Sequence, residues 1–165
     1  MCYEQSLLCL SDVRKDMIKV LFICHGSICR SPMAKYIMID LVNKAGLKEE
    51  FVIDSAATSR EELGKPVYPP ARSILKQHGI DCSGYAARQM RLEDYEKYDL
   101  IIGMDSENMY YMKRMWKEDP EGKLKLLMDY SDRPREVSDP WYTRDFETAY
   151  ADILEGCQGL LSAIK

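Results

Sequence analysis

Residues 20–32 read VLFICHGSICRSP, in which an apolar run is followed directly by two cysteines, a histidine and an arginine. The apolar residues before Cys24, in IKVLFI, are typical of a strand that is buried on both faces. A loop containing Gly26 follows, and Pro32 is a residue suited to the first turn of a helix. We therefore expect a strand, a tight loop and a helix that begins at Pro32.

The same alternation of strand and helix patterns continues along the chain. Three further apolar stretches predict strands: FVIDSA at 51–56, DLIIGMD at 99–105 and KLKLLM at 123–128. Helical patterns occur in ARSILKQHG at 71–79, in SENMYYMKRMWKE at 106–118 and from Phe146 to Ile164. This alternation indicates an α/β fold in which a parallel sheet is covered on both faces. Ligands of such sheets bind beyond the carboxyl ends of the strands, where CHGSICR lies.

Composition narrows the class of protein. The 165 residues are 46% hydrophobic, enough for the core of one domain, which we place at 17–165. Residues 1–16 show no clean period and are expected to form a poorly ordered extension. The net charge of −4 offers no basic surface for nucleic acid or membrane binding. Without a signal peptide or an apolar stretch of about 20 residues, a cytoplasmic location is expected, and the six cysteines are expected to be reduced.

The loop between the first strand and its helix has the chemistry of an anion site. Backbone N–H groups converge in such a loop, and the positive end of the helix dipole adds to them. Cys24 would lie at its base as an ionised nucleophile, and the Arg30 guanidinium can pair with two phosphate oxygens. The spacing of Cys24 and Arg30 alone also fits the buried end of a strand. Zinc is not expected, because Cys24, His25 and Cys29 are too crowded for its usual ligand spacing.

CHGSICRSP resembles the C-x-G-N-x-C-R-S-P signature of the low-molecular-weight protein tyrosine phosphatases, and the similarity runs from about Met17 to the C-terminus. Later stretches agree in order: IDSAATS, HGI at 78–80, AARQ at 86–89, MDSEN at 104–108 and DPWY at 139–142. The resemblance implies a three-layer α/β/α, flavodoxin-like fold with a four-stranded parallel sheet. It also implies a protein tyrosine phosphatase that forms a phosphocysteine and uses neither metal nor cofactor.

The resemblance further implies roles for individual residues. Cys24 is the nucleophile, Arg30 holds the phosphate, and Asp139 is the general acid that protonates the departing phenol. The residues expected to bind phosphate or substrate are His25, Gly26, Ser27, Ile28, Cys29, Ser31, Trp141 and Tyr142. Ser31 would donate a hydrogen bond to the nucleophilic sulfur, Ser55 and His78 would brace the loop, and Cys29 would form a reversible disulfide with oxidised Cys24.

Two departures from the family pattern concern the loop and its entrance. Ser27 replaces the family's asparagine, and since serine tolerates a left-handed backbone less well and reaches less far, we expect a slightly looser cradle. Glu61 stands where many members carry an aromatic residue, although Trp141 and Tyr142 keep the entrance aromatic. The expected substrate is a phosphotyrosine protein, with a cognate tyrosine kinase as a further partner.

Other activities on this fold stay open as alternatives. Phosphoarginine phosphatases favour threonine where this chain has Ile28, so isoleucine favours phosphotyrosine. Arsenate reductases need two further cysteines after the second helix, where Cys82 stands alone. A phosphocarrier would not need Arg30 and Asp139. Outside the enzymes, the alternative is a module that binds phosphotyrosine without hydrolysing it.

Overall fold

A computed structural model describes residues 17–165; the extension expected at 1–16 lies outside the described residues. Four strands form one parallel sheet in the order β2-β1-β3-β4. Their bounds are β1 Ile18–Cys24, β2 Phe51–Ala57, β3 Leu100–Gly103 and β4 Leu124–Leu126. The helices are α1 Arg30–Lys44, α2 Pro69–Gln77, α3 Asp94–Lys97, α4 Ser106–Met115, α5 Pro140–Thr143 and α6 Phe146–Ile164. Short 3-10 turns occupy Lys48–Glu50 and Leu127–Tyr130.

Strand β1 is the centre of the molecule, and its side chains alternate between two cores. Val20 and Phe22 face the core that α1, α2 and α6 cover, and Leu21 and Ile23 face the core that α3 and α4 cover. All four of these side chains are fully buried. Successive residues of a strand point to opposite faces, so a continuous apolar run needs helices on both sides. The three-layer α/β/α architecture expected from the sequence is therefore confirmed.

The predicted helix start at Pro32 is wrong by two residues, since α1 begins at Arg30. Pro32 is then the third residue of the helix, where its missing N–H would have had no partner within the helix. The earlier start makes Arg30 part of the rigid helix instead of the loop. Four short elements, the turns Lys48–Glu50 and Leu127–Tyr130 and helices α3 and α5, were not predicted because segments of three or four residues show no period. The predicted strand at 123–128 is therefore too long, since β4 ends at Leu126 and the turn follows it.

The carboxyl ends of β1, β2 and β3 lie side by side at one edge of the sheet. Cys24 pairs in register with Ala57, and Ile23 pairs with Gly103. Residues that directly follow these strands therefore meet at this edge, as the position of CHGSICR predicted. Among the helices in residues 17–165, none has the length and apolarity needed to cross a membrane.

The long helix α6 packs against α1 and against the 3-10 turn Leu127–Tyr130. Gly159 makes this close approach feasible, because a Cβ atom there would overlap the Tyr130 carbonyl oxygen. One turn earlier, a Cβ at Gly156 would come within 2.6 Å of Leu127 Cγ. Two glycines in a helix cost conformational entropy, but they allow α6 to pack closely against the turn.

We predict that Gly159→Ala destabilises the protein. In an exposed helix this change would stabilise by about 0.5–1 kcal/mol, but overpacking against the Tyr130 carbonyl should cost about 1–3 kcal/mol instead. The free energy of unfolding from urea titration measures the difference. Ser162→Ala, at an exposed position of the same helix, is the control and should change stability little. An increase in stability with Gly159→Ala would show that the helix does not rest on the turn.

Candidate active site

The loop between β1 and α1, residues 25–29, which we call the first loop, is held by its carbonyl groups. Four carbonyl oxygens of Cys24 and the loop accept hydrogen bonds from the surrounding scaffold. The pairs are Thr58 N to Cys24 O at 2.9 Å, Ser59 N to His25 O at 3.0 Å, Tyr85 Oη to Ser27 O at 2.7 Å and Tyr68 N to Ile28 O at 2.8 Å. These donors come from three separate segments, so the carbonyls point outward and the opposite side of the backbone faces inward.

The amide groups of the first loop are left facing a hollow. The N–H groups of Gly26, Ser27, Ile28 and Cys29 have no hydrogen-bond acceptor among residues 17–165. Helix α1 adds its own N-terminus, which has no side-chain cap and no acidic residue in its first turn. Unpaired amides and a helix N-terminus both favour an anion. The loop is thus a preformed anion cradle, as its position in the sequence predicted.

Ser27 adopts a left-handed backbone conformation, with φ of +56°. Its side chain is fully buried, and its Oγ lies 2.7 Å from both Ser31 Oγ and Tyr85 Oη. The serine side chain is shorter than asparagine, and Tyr85 from a distant loop comes close enough to contact it. That Ser27 makes the cradle looser stays a prediction. Any such effect is reduced by the contact that Tyr85 makes with the Ser27 side chain.

Cys24 lies at the base of the hollow, and only 3% of it is exposed. Its Sγ accepts a hydrogen bond from Ser31 N at 3.4 Å and lies 3.2 Å from Ser31 Oγ. The cavity above it has a volume of about 100 Å³. Its lining consists of Cys24, His25, Gly26, Ser27, Ile28, Cys29, Arg30, Glu61, Glu62, Asp139, Trp141 and Tyr142. Ser31 contacts the sulfur from below this lining.

Arg30 is almost fully buried, and its guanidinium is aimed by two other segments. Nη1 donates to Asp105 Oδ2 at 2.7 Å and to the Val137 carbonyl at 2.8 Å, and Nη2 lies 3.4 Å from Asp139 Oδ2. Burial disfavours the charge of Arg30, but the negative groups of Cys24, Asp105 and Asp139 outweigh it and raise the pKa of the guanidinium. A permanent positive charge therefore lines the hollow.

Asp105 is a site residue that the sequence analysis did not identify. Its Oδ1 accepts from Asn108 N at 2.8 Å, which caps helix α4, while its Oδ2 accepts from Arg30. One carboxylate thus ties the helix after β3 to the arginine after β1. The position of Asp105, at the carboxyl end of a predicted strand, was the signal that could have revealed it.

Asp139 reaches the same hollow from the loop before α5. Its Oδ1 accepts from Trp141 N at 3.0 Å, and Pro140 occupies the first turn of the short helix that follows. Trp141 and Tyr142 stand at the mouth with 44% and 80% of their surfaces exposed. The structure brings together the three residues to which the sequence analysis assigned catalysis: Cys24, Arg30 and Asp139.

Cys29 lines the same hollow as Cys24, but its thiol is much harder to ionise. Burial, followed by the charges of Cys24 and Asp139, raises the pKa of Cys29 to about 12. It is therefore a neutral thiol at physiological pH and cannot compete with Cys24 as nucleophile.

His25 and two glutamates form part of the rim. His25 Nε2 lies 3.0 Å from Glu61 Oε2, and Nδ1 lies 3.9 Å from Glu107 Oε1. This arrangement agrees with His25 as a loop-lining side chain. Glu61, at the position where the family carries an aromatic residue, thus pairs with the first loop itself.

The two residues expected to brace the loop have different positions. Ser55 lies beneath it, with Oγ 3.0 Å from Tyr85 Oη. His78 does not reach it: the residue is exposed at the end of α2, and its ring stacks on Tyr150 at 4.2 Å. The bracing role predicted for His78 is therefore wrong. Tyr85 occupies that place, and a lone tyrosine in the GYAARQ loop gave no sequence signal for it.

Comparison with known proteins identifies close relatives of this arrangement. The family model "Low molecular weight phosphotyrosine protein phosphatase" matches residues 19–165. The low-molecular-weight protein tyrosine phosphatase YfkJ of Bacillus subtilis is 39% identical over 151 residues, which cover 90% of this chain and 97% of that protein. The Homo sapiens low-molecular-weight phosphotyrosine protein phosphatase is 37% identical, covering 86% and 92%.

Solved structures agree with the sequence comparison. The crystal structure of YfkJ superposes with a TM-score of 0.86 at 40% identity, over 90% of this chain and 94% of that one. A Drosophila arginine phosphatase superposes with a TM-score of 0.83 at 31% identity, over 90% and 98%. The fold and the order of the site segments are therefore shared across nearly the whole described chain.

Proposed function

Because the chain belongs to the low-molecular-weight protein tyrosine phosphatase family, we propose that it hydrolyses phosphotyrosine in proteins through a phosphocysteine at Cys24. One observation carries this proposal: the unpaired amides of the first loop and the buried Arg30 surround the sulfur of Cys24. Such a ring of donors stabilises the equatorial oxygens of a phosphoryl group during transfer.

In the first step, the Cys24 thiolate attacks phosphorus and the bond to the phenolic oxygen breaks. Arg30 and the loop amides hold the three equatorial oxygens while this exchange occurs. A tyrosyl phenol has a pKa of about 10, so it leaves more readily as the neutral phenol. Asp139 supplies that proton, since it lines the hollow and its Oδ2 lies 3.4 Å from Arg30 Nη2.

In the second step, water hydrolyses the phosphocysteine. Asp139, now ionised, accepts a proton from the water, whose oxygen bonds to phosphorus as the bond to sulfur breaks. Inorganic phosphate is released and the Cys24 thiolate returns. Ser31 lies 3.2 Å from the departing sulfur, and its hydroxyl proton stabilises the negative charge that the sulfur regains.

The entrance favours an aromatic phosphate ester. Trp141 packs against Tyr68 with ring centroids 5.0 Å apart, and Arg144 lies over both rings. Trp141 itself is still 44% exposed, so one face is free for a substrate ring. The apolar Ile28 lines the hollow where phosphoarginine phosphatases favour threonine. We infer that phosphotyrosine is preferred over phosphoarginine.

The natural substrate we infer is a cytoplasmic phosphotyrosine protein, modified by a tyrosine kinase of the same cell. This follows from the reduced thiol that the mechanism needs and from the family to which the chain belongs. Lysate proteins retained by Cys24→Ser and released by free phosphotyrosine would identify the substrate. Retention of proteins without phosphotyrosine would contradict the inference.

We predict that Cys24→Ser abolishes hydrolysis of p-nitrophenyl phosphate measured in EDTA, with a loss of at least about 10⁴-fold in kcat. The serine keeps the shape of the site but is a much weaker nucleophile near neutral pH. Cys82→Ser, at a buried cysteine that lies outside the lining of the hollow, is the control and should retain activity. Tight phosphate binding by the wild type without turnover would instead support a binding module.

We predict that Asp139→Asn lowers kcat for phosphotyrosine by about 10²–10³-fold, and much less for aryl phosphates with acidic leaving groups, which need no proton. Asparagine can still accept the Trp141 N–H hydrogen bond, so the loop should stay in place. Asp145→Asn is the matched control, because Asp145 also accepts a backbone N–H, from Thr148 at 3.0 Å. Equal losses on both substrate types would contradict the acid role of Asp139.

We also propose that Cys29 protects Cys24 from irreversible oxidation. Peroxide converts the Cys24 thiolate to a sulfenic acid, and the Cys29 thiolate then attacks that sulfur, forming a disulfide and releasing hydroxide. Both cysteines line one hollow, Cys24 at the end of β1 and Cys29 at the end of the first loop.

We predict that dithiothreitol restores peroxide-treated wild type but not peroxide-treated Cys29→Ser. Burial raises the pKa of Cys29, so only a small fraction is thiolate at pH 7, and disulfide closure should become faster, by up to about tenfold per pH unit, as the pH rises. Quenched-flow mass spectrometry measures the closure rate. Full recovery of Cys29→Ser would show that another group protects the nucleophile.

A further inference from the structure

The short helix that follows Asp139 ends at an unusual residue. Helix α5 runs from Pro140 to Thr143, and the next residue, Arg144, has a left-handed backbone with φ of +61°. Glycine and asparagine are the usual residues at such a helix end, because most other side chains disfavour this conformation. Residues held in sparsely populated conformations often lie at functional sites. The Arg144 side chain is therefore a candidate for a role in the reaction.

The guanidinium of Arg144 packs over three aromatic rings. Its central carbon lies 5.4 Å from the ring centre of Tyr68, 6.0 Å from that of Trp141 and 5.4 Å from that of Phe146. Nη2 donates to Tyr68 Oη at 3.1 Å, and Nη1 donates to the Trp141 carbonyl oxygen at 3.4 Å. A planar cation can stack on rings and donate hydrogen bonds at the same time. Arg144 thus holds these three side chains together.

Two of these rings belong to firmly held parts of the fold. Tyr68 N donates to Ile28 O at 2.8 Å, which ties the tyrosine to the first loop. Phe146 is buried and begins the long helix α6. Trp141, in contrast, lies on α5 and is 44% exposed. A helix of four residues is too short to be stable by itself. Contacts such as those of Arg144 therefore decide where α5 lies.

The position of Asp139 depends on α5 in turn. Asp139 Oδ1 accepts from Trp141 N at 3.0 Å. The Asp139 carbonyl oxygen accepts from Tyr142 N and Thr143 N, each at 3.1 Å. Its remaining carboxylate oxygen lies 3.4 Å from Arg30 Nη2, which is longer than a typical N–H···O hydrogen bond. A shift of α5 would therefore displace the carboxyl group of Asp139.

We propose that Arg144 is a positioning residue of the phosphatase reaction: by holding Trp141 of α5 against Tyr68 and Phe146, it keeps the Asp139 carboxyl group within reach of the leaving phenolic oxygen. This rests on the proposed function, in which Asp139 donates the proton to that oxygen. Arg144 does not line the hollow and acts only through α5. Proton transfer needs a short distance between donor and acceptor, so a displaced α5 slows the reactions that need the proton.

The test is Arg144→Asn, which removes the guanidinium but suits the left-handed backbone. The kcat/KM for phosphotyrosine should fall about three- to tenfold, and that for dinitrophenyl phosphate less than about twofold, since its acidic leaving group needs no proton. Both substrates are aryl esters, so a change in ring binding alone would affect both. Hydrogen exchange of the amides of residues 141–144, measured by mass spectrometry, should become several times faster because α5 opens more often.

Two further variants test whether the effect runs through α5 and Asp139. Tyr68→Phe keeps the ring and the charge of Arg144 but removes the oxygen to which Nη2 donates. It should reproduce part of the selective loss on phosphotyrosine. In the Asp139→Asn background, Arg144→Asn should lower kcat/KM for phosphotyrosine little further, because the group that it positions is already absent.

Lys117→Asn is the matched control. Lys117 is also an exposed cation with a left-handed backbone, φ of +51°, just beyond the end of helix α4. It lies outside the lining of the hollow. Lys117→Asn removes the same charge in the same backbone conformation. It should leave kcat/KM for both substrates and the hydrogen exchange of residues 141–144 unchanged.

Three results would overturn the proposal. One is an Arg144→Asn variant with equal losses on both substrates or with no loss, including the case where only thermal stability falls. Another is unchanged hydrogen exchange of residues 141–144, since Arg144 would then not hold α5. The last is full additivity of Arg144→Asn and Asp139→Asn. Exchange needs no turnover, so a wild type that hydrolyses neither ester would refute the proposed function, while exchange would still decide whether Arg144 holds α5.

Discussion

The outward anchoring of the loop carbonyls is the constraint on which the rest of the site depends. A peptide plane that turns its C=O outward turns its N–H inward, and four such carbonyls, of residues 24, 25, 27 and 28, are fixed by donors elsewhere in the chain. The amides therefore converge before any ligand arrives. Because folding has already ordered these amides, they can stabilise a developing charge without reorganising.

The site also depends on a buried positive charge. Arg30 is 2% exposed and would be costly to bury alone. Asp105 and Asp139 compensate it from two different segments, and each has a second duty, since Asp105 caps helix α4 and Asp139 caps helix α5. The fold thus uses the same carboxylates to stabilise its helices and to aim the guanidinium.

Much of this could be read from the order of residues. The alternation of apolar strands and amphipathic helices predicted the sheet and its two helical layers, and the CHGSICRSP stretch indicated Cys24 and Arg30. Asp139 and the aromatic mouth followed from the family resemblance. The predicted start of α1 is two residues late, because Arg30 and Ser31 belong to the anion-binding motif and also adopt helical backbone geometry. The prediction that His78 braces the loop is wrong, and the sequence analysis did not identify Tyr85 or Asp105.

Motifs and apolar periods in the sequence were enough to predict a cysteine and an arginine at the two ends of a strand-to-helix loop, an acid before the last helix, and a covered parallel sheet. Periodicity and local motifs carry this because they depend on neighbours within a few positions. The distant side chains that complete the loop could be identified only from the three-dimensional structure. Tyr85 and Ser27 are 58 positions apart and Asp105 and Arg30 are 75 apart. Such pairs meet because the strands bring their carboxyl ends to one edge, and no local pattern records which residues arrive there.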